Sequence, residues 1–250
     1  MNETTNIADK LTEGSALSKE EFRLLIENYR DGALYARLKA AANKKKEEIF
    51  GNTVYIRALV EVSSYCANDC YYCGLRRSNT LAERYRLTKD EIIESCRIGY
   101  EAGFLTFVLQ GGEDAYLTDD FLVPLIKELK QKFPDCAVTL SLCERAKASY
   151  EKLKAAGADR YLLRLTLPKV LLPATTALGT LNGREEGLMC GANVVMLNCS
   201  PKEVRKKYNI YDNKRITGEE AVEGLKAFRA TLQKLGLTAP PQRGDSPNFI

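Results

Sequence analysis

The sequence predicts an α/β protein built on a parallel sheet. Short apolar segments rich in β-branched residues alternate with longer amphipathic segments, several of which end at glycine. Near-continuous apolar strands separated by helices are typical of a parallel sheet that helices cover. The six strand candidates, in chain order, are residues 54–62, 104–110, 137–142, 160–165, 174–180 and 192–197.

The strand candidates are too few for a closed barrel of eight strand–helix units. Such a barrel takes ~250 residues, or roughly 30 for each unit. Residues 54–198 suffice for about five units at that length, and two units are missing between residues 163 and 173. We therefore predict a partial TIM-type (β/α) barrel of about six parallel strands, preceded by N-terminal helices.

The helices before the barrel are predicted from their ends. Ser18 and Glu21 form a capping box that opens one helix, and a second helix over residues 33–49 ends at Gly51. We expect three units in the chain. They are a helical extension (residues 1–52), the barrel domain (residues 53–200) and a basic helical tail (residues 201–250).

The helices between the strands carry similar signals. Thr88 and Glu91 form a second capping box, and the helix that follows is expected to stop before Gly103. Amphipathic helices over residues 119–132 and 147–156 follow the second and third strand candidates. Each strand is thus expected to run directly into a loop and then a covering helix.

Composition excludes several classes of protein. The net charge of +4 is spread along the chain, which argues against nucleic-acid binding, and no apolar run is long enough to span a membrane. The first 19 residues lack the apolar core of a secretory signal. Eight cysteines in such a chain indicate metal ligands and buried thiols rather than disulfides, so we expect a cytoplasmic protein.

Three cysteines follow the first strand with C-x3-C-x2-C spacing, at Cys66, Cys70 and Cys73. Thiolates select iron–sulfur clusters or zinc, and the chain contains no histidine to complete a mixed zinc site. Three thiolates fit a 4Fe–4S cluster with one iron left open. Zinc completed by Cys190 or Cys199 and incidental buried thiols are the alternatives. In a βα barrel the active site lies where this loop lies, after the carboxyl end of a strand.

The cysteine loop and its neighbouring blocks resemble the radical S-adenosylmethionine (SAM) superfamily. The blocks are EVSSYCANDCYYCGLRRSN, LQGGEDAY, RYLLR, PATTALGT and GANVVMLN. They are similar in particular to HydE-type FeFe-hydrogenase maturases of the biotin synthase-like branch, with an internal deletion after the fourth strand. The resemblance implies that Cys66, Cys70 and Cys73 hold the cluster and that SAM binds to the open iron.

The resemblance also implies which residues contact SAM near the cysteine loop. Tyr72 matches the aromatic that packs on adenine, with a core tyrosine as the alternative. Gly111, Gly112 and Glu113 match the segment whose backbone lies along the methionyl amine. Glycine is suited to such a position because the backbone must approach a ligand closely.

Two further residues match SAM-binding positions on later strands. Glu144 matches the acid near the ribose, with a surface glutamate as the alternative. Arg164 matches the arginine that pairs with the SAM carboxylate, although it also fits the helix before the seventh barrel strand. Thr175, Thr176 and Asn198 are expected to line the upper cavity, where the family places its substrate.

The resemblance implies an enzyme that cleaves SAM reductively and acts in assembly of the FeFe-hydrogenase H-cluster. Its substrate would be a small or organometallic molecule. Its partners would be a reductant such as ferredoxin or flavodoxin and other hydrogenase maturation proteins. A biotin or methylornithine synthase, and a catalytically impaired cluster-binding fragment, are the alternatives.

Overall fold

The structure is a computed structural model, and it describes residues 3–162, 183–211, 214 and 221–245. The strands in this part of the chain are β1 (Tyr55–Ser63), β2 (Thr106–Gly111), β3 (Ala137–Ser141), β4 (Arg160–Tyr161) and β5 (Val194–Asn198). The helices are α1 (Glu3–Thr12), α2 (Lys19–Glu27), α3 (Gly32–Phe50), α4 (Lys89–Glu101), α5 (Asp119–Lys132), α6 (Lys147–Ala155), α7 (Gly183–Leu188), α8 (Lys202–Arg205) and α9 (Ala221–Lys234).

The five strands form one parallel sheet in the order β4-β3-β2-β1-β5. The first strand therefore lies inside the sheet and pairs with the last described strand. Glu61 of β1 is in register with Gln110 of β2, which is in register with Ser141 of β3. The predicted parallel α/β sheet of a partial barrel is confirmed.

One face of the sheet packs against helices and forms the main core. Alternate strand residues such as Val60, Leu109 and Leu140 are fully buried in this cluster, together with apolar residues of α4, α5, α6 and α9. Alternation places every second side chain on the same face. The helix α9, which follows the last strand, contributes Leu225 and Phe228 to the same core.

The other face of the sheet is polar and also buried. Arg57, Glu61, Thr106, Gln110 and Thr139 lie on it, each at most 7% exposed. At the amino ends of the strands, the backbone of residues 243 and 244 lies against this face. There Arg57 and Thr106 donate hydrogen bonds to the backbone carbonyls of residues 244 and 243. A buried polar face needs such partners, since an unpaired polar group is costly to bury.

The N-terminal helices form a smaller cluster of their own around Ile7, Ala8, Leu25 and Leu34. Both predicted capping boxes are present, at Ser18 with Glu21 and at Thr88 with Glu91. The division of the chain into three units at residues 52 and 200 stays a prediction.

Five of the six predicted strands lie where expected, and of the predicted strand 160–165 the structure describes β4 over Arg160–Tyr161. The sixth candidate, residues 174–180, and the end of the fourth lie outside the described residues. None of the helices in the described part is long and apolar enough to cross a membrane.

Candidate functional site

The predicted SAM and cluster residues that the structure describes lie at the carboxyl ends of β1, β2 and β3, on the loops that follow these strands or, for Gly111, at the last residue of β2. Asn198, predicted to line the upper cavity, is the last residue of β5. Parallel strands put these ends along one edge of the sheet, so the three loops are neighbours. The cysteine loop follows β1, the Gly-Gly-Glu-Asp loop follows β2, and Glu144 follows β3. This edge is where the sequence places the cofactor.

Cys66 is held against the loop after β2. The Glu113 N–H donates to Cys66 Sγ at 3.4 Å, and the Ala67 N–H donates to the Glu113 carbonyl at 2.8 Å. A Cβ atom on Gly112 would lie 2.5 Å from the Tyr65 carbonyl oxygen and 2.7 Å from Cys66 Cβ. Glycine is therefore required at 112 by the packing of the cysteine loop itself.

The loop after β2 is tied in turn to the loop after β3. Both carboxylate oxygens of Glu113 accept from the Glu144 N–H, each at 3.1 Å. Cys143 also reaches this loop, where its thiol donates to the Gly112 and Asp114 carbonyls. Burial raises the pKa of the Cys143 thiol, which keeps it in the hydrogen-bond-donating form. The structure thus brings together Cys66, Gly112, Glu113 and Glu144.

Cys70 and Cys73 lie further along the same loop. The Cys73 N–H donates to the Cys70 carbonyl at 3.0 Å, and Cys73 packs against the apolar cluster of Leu75, Tyr208 and Ile210. Among the described residues, no three cysteine or acidic side chains stand in a metal-binding arrangement. A metal group held by all three thiols would therefore require them to come closer together.

Tyr72 is 73% exposed on the outside of the cysteine loop. It lines a cleft of about 590 Å³ whose walls also include Tyr71, Arg76, Leu81 and Tyr211. No contact joins it to Glu113 or Glu144 in the described structure, so its predicted place beside adenine stays a prediction. Arg164 lies outside the described residues, as do Thr175 and Thr176.

Arg84 organises the cysteine loop and was missed in the sequence. Its guanidinium donates to the backbone carbonyls of residues 64, 75, 76 and 79 at 2.6–3.3 Å. One planar cation with five donors can satisfy several carbonyls of a loop that has no regular structure. The available signal was the run of arginines that follows the cysteine motif, at positions 76, 77, 84 and 86.

A second missed network surrounds Asp114. Arg86 donates to both Asp114 oxygens at 2.8 and 2.9 Å, and Ser63 Oγ donates to one of them at 2.6 Å. Burial by itself would raise the pKa of Asp114, but the hydrogen bonds from Arg86 and Ser63 outweigh it and lower that pKa. Arg86 also stacks over the Tyr65 ring at 3.7 Å. The network joins the end of β1, the loop after β2 and the chain beyond the cysteines.

The residues present suit an iron–sulfur cluster by donor chemistry. Cys66, Cys70 and Cys73 are free, partly exposed thiols on one loop, and the chain has no histidine. The amide that already donates to Cys66 Sγ would stabilise a thiolate there. All three thiols lie on a loop outside the strands, so they could adjust to a cluster without changing the pairing of the sheet.

Comparison with known proteins agrees with the site. Residues 60–168 match the family model of the radical SAM superfamily. The [FeFe] hydrogenase maturase subunit HydE of Thermotoga maritima is 29% identical, with 78% of this chain and 84% of that protein covered. The 3-methylornithine synthase of Methanosarcina barkeri is 35% identical over 133 residues, which are 51% of this chain and 37% of that enzyme. The resemblance predicted from the cysteine loop is confirmed.

The fold is shared with a solved structure. The crystal structure of methylornithine synthase (PylB) matches with a TM-score of 0.69 and 19% identity, covering 94% of this chain and 97% of that one. The alignment with HydE is 295 residues long, yet it uses 78% of the 250 residues here, or about 195. About 100 aligned positions thus have no counterpart in this chain, which supports the predicted internal deletion.

Gly112→Ala should displace Cys66, because the new methyl group would overlap the Tyr65 carbonyl and Cys66 Cβ. We expect the apoprotein to lose about 1–3 kcal/mol of stability and to retain at least ~10-fold less iron after anaerobic reconstitution. Gly111→Ala is the matched control, since its Cβ meets neighbours only at 3.4 Å or more. Equal iron retention in the two variants would show that residue 112 does not position Cys66.

Asp114→Asn should destabilise the protein by roughly 1.5–3 kcal/mol at neutral pH, the usual worth of hydrogen bonds to a charged group. The folded-state pKa of Asp114 lies below its ordinary value of 3.8. Its contribution is therefore complete above pH 3.8 and is lost as pH falls through the lowered pKa. Chemical denaturation across this pH range should show the wild type and the variant converging in acid.

Glu94→Gln is the control for this titration. Glu94 also has a lowered pKa, because Arg97 donates to it, but it is exposed on α4. Exposed ion pairs contribute little to stability, so this variant should follow the wild type at every pH. A pH-independent difference between Asp114→Asn and the wild type would contradict the assigned role.

Proposed function

We propose that this chain, which carries a radical SAM domain, binds a 4Fe–4S cluster through Cys66, Cys70 and Cys73 and uses it to cleave SAM. Proteins of this family use a 4Fe–4S cluster together with SAM. The observation that carries the proposal is the loop of three free thiols directly after β1, inside the matched residues 60–168. When bound, the cluster would supply the electron for reductive cleavage.

The roles of the protein residues follow from the loop contacts. Gly112 allows Cys66 to lie against the loop after β2, and the Glu113 amide stabilises the Cys66 thiolate. The Glu113 carboxylate accepts from the Glu144 amide and so holds the loop after β3. It thereby fixes the position of the Glu144 backbone at the sheet edge. Both acids are thereby kept at the edge where a cationic sulfonium ligand would bind.

Six residues are proposed to contact SAM directly. Glu113, with Gly111 and Gly112, would receive the methionyl amine, and Glu144 would accept from the ribose hydroxyls. Tyr72 would close over the adenine from the outer side of the cysteine loop. The resemblance assigns Arg164 to the SAM carboxylate, and that role also remains a proposal.

Within the superfamily we propose a HydE-like maturase role in assembly of the FeFe-hydrogenase H-cluster. The match covers 84% of the HydE relative, against 37% of the methylornithine synthase. The substrate would then be a small or organometallic molecule. Ferredoxin or flavodoxin would supply electrons in the cytoplasm, where the eight free cysteines stay reduced, and other hydrogenase maturation proteins would act with it.

A methylornithine synthase is the second candidate, favoured by the higher identity of that relative over its shorter match. A biotin synthase belongs to the same branch. Incubation with each candidate substrate and analysis of the products would distinguish these enzymes, because each makes a different product from the same cofactors. The third candidate is an impaired cluster-binding fragment, for which the missing aligned positions argue. It would take up iron without turnover.

Anaerobic reconstitution should load wild-type protein with about four iron atoms per chain and yield 5′-deoxyadenosine from SAM under reduction. Changing Cys66, Cys70 or Cys73 to Ser should abolish both, because each thiolate would hold one corner of the cluster. Iron content and product chromatography measure the two outcomes.

Cys190→Ser is the matched control, since this cysteine forms no disulfide and its thiol lies 3.3 Å from the Tyr35 hydroxyl of α3. It should keep wild-type iron. Uptake of zinc in place of iron, with loss of that zinc in Cys190→Ser, would overturn the proposal in favour of a structural zinc site.

A further inference from the structure

We propose that a strap across the cysteine loop, pinned by a buried ion pair between Glu61 and Lys214, fixes the position of Cys73. The strap is defined as residues 208–211 together with Lys214. Lys214 is thus a positioning residue that acts through the strap and touches no cofactor. The inference rests on the proposed function in one respect, namely that Cys73 is a cluster ligand.

The strap lies in direct contact with the residue that follows Cys73. The Gly74 N–H donates to the Ile210 carbonyl at 2.9 Å. A Cβ atom at position 74 would lie 2.0 Å from the Asn209 carbonyl oxygen, which is well inside contact distance. Glycine is therefore the one residue type at position 74 that lets the strap backbone approach this closely. The cysteine loop and the strap are in direct backbone contact here.

Side chains reinforce this backbone contact. Leu75, Tyr208 and Ile210 are buried together, and the side chains packed against them include Cys73. Tyr208 is 2% exposed, and its hydroxyl accepts from Gln110 on the polar face of the sheet at 3.3 Å. Cys73 consequently packs against side chains of the strap as well as against its own loop.

The far end of the strap is anchored in the sheet. Lys214 Nζ donates to Glu61 Oε1 and to the Tyr208 carbonyl, the latter at 2.7 Å. The second Glu61 oxygen accepts from Asn198 Nδ2 at 2.8 Å. The Glu61 and Lys214 side chains are 1% and 10% exposed, so water cannot replace either partner. Lys214 therefore holds the two ends of the strap together, through the Tyr208 carbonyl, and anchors the strap to β1 through Glu61.

Glu61 is also connected to the cysteine loop through Tyr85. Tyr85, which packs against the same apolar cluster, donates from its hydroxyl to the Glu61 carbonyl at 2.9 Å. Glu61 lies on β1, an interior strand of the sheet that pairs with both β2 and β5, and is itself in register with Gln110 of β2. The position of Cys73 is thus tied to this interior strand through two contacts with Glu61, one from Lys214 of the strap and one from Tyr85.

The test uses the full chain, reconstituted anaerobically, and measures the rate of iron release to a ferrous chelator. Removing Lys214 alone would leave Glu61 buried and uncompensated, which by itself can unfold a protein. The informative variant is therefore the double change Glu61→Gln with Lys214→Met, which removes the pin without leaving a buried charge. Gly74→Ala breaks the other end of the strap independently.

We expect both variants to release iron at least ~10-fold faster than wild type, the usual effect of removing outer contacts of metal ligands. The electron paramagnetic resonance signal of the reduced cluster should also change shape, since one ligand is less constrained. The thermal midpoint of the double-variant apoprotein should stay close to that of wild type. Lys132→Met, which removes an exposed ion pair with Glu128 on α5, is the control and should match wild type throughout.

If either variant folds, releases iron at the wild-type rate and keeps the wild-type resonance signal, the proposed role of the strap is wrong. Faster release that tracks a lowered thermal midpoint in proportion would also overturn it, in favour of a purely structural ion pair. Wild-type protein that takes up no iron would overturn the proposed function first, so the two failures are distinct.

Discussion

The parallel pairing of β1 with β2 and of β2 with β3 is the constraint on which the site depends. Parallel register brings the carboxyl ends of these strands to one edge, and Ser63 of β1 pairs with Gly111 of β2. The two loops that follow therefore start side by side. Cys66 and Gly112 meet only because of this register, and a shift of one residue would turn the polar face toward the helices.

The cysteine loop has little regular structure, and charged side chains take the place of secondary structure in ordering it. Arg84 binds four carbonyls of the loop, and Arg86 binds the buried Asp114 with both arms of its guanidinium. The same residues thus provide the order that the backbone of the loop lacks.

Local signals in the sequence predicted the local parts of the structure. The capping boxes, the strand order along the chain and the cysteine loop after β1 depend on neighbouring residues, and all were predicted. Contacts between distant residues were not, and Lys214 lies 153 positions from Glu61. Gly112 shows an intermediate case. The glycine was predicted for close approach to a ligand, whereas the structure shows close approach to Cys66.

About 100 positions of the HydE alignment have no counterpart in this chain, and the described sheet shows what a deletion inside the barrel would spare. In a closed eight-stranded barrel the first and last strands pair, and here β1 pairs with β5, the last described strand. A deletion inside the barrel would leave this pairing intact, along with β2, β3 and the loops that hold Cys66 and Glu144. Such a deletion would affect the strands opposite β1. Cys66, Gly112 and Glu144 all follow β1, β2 or β3, so it would alter the far side of the barrel before it altered the loops that carry these residues.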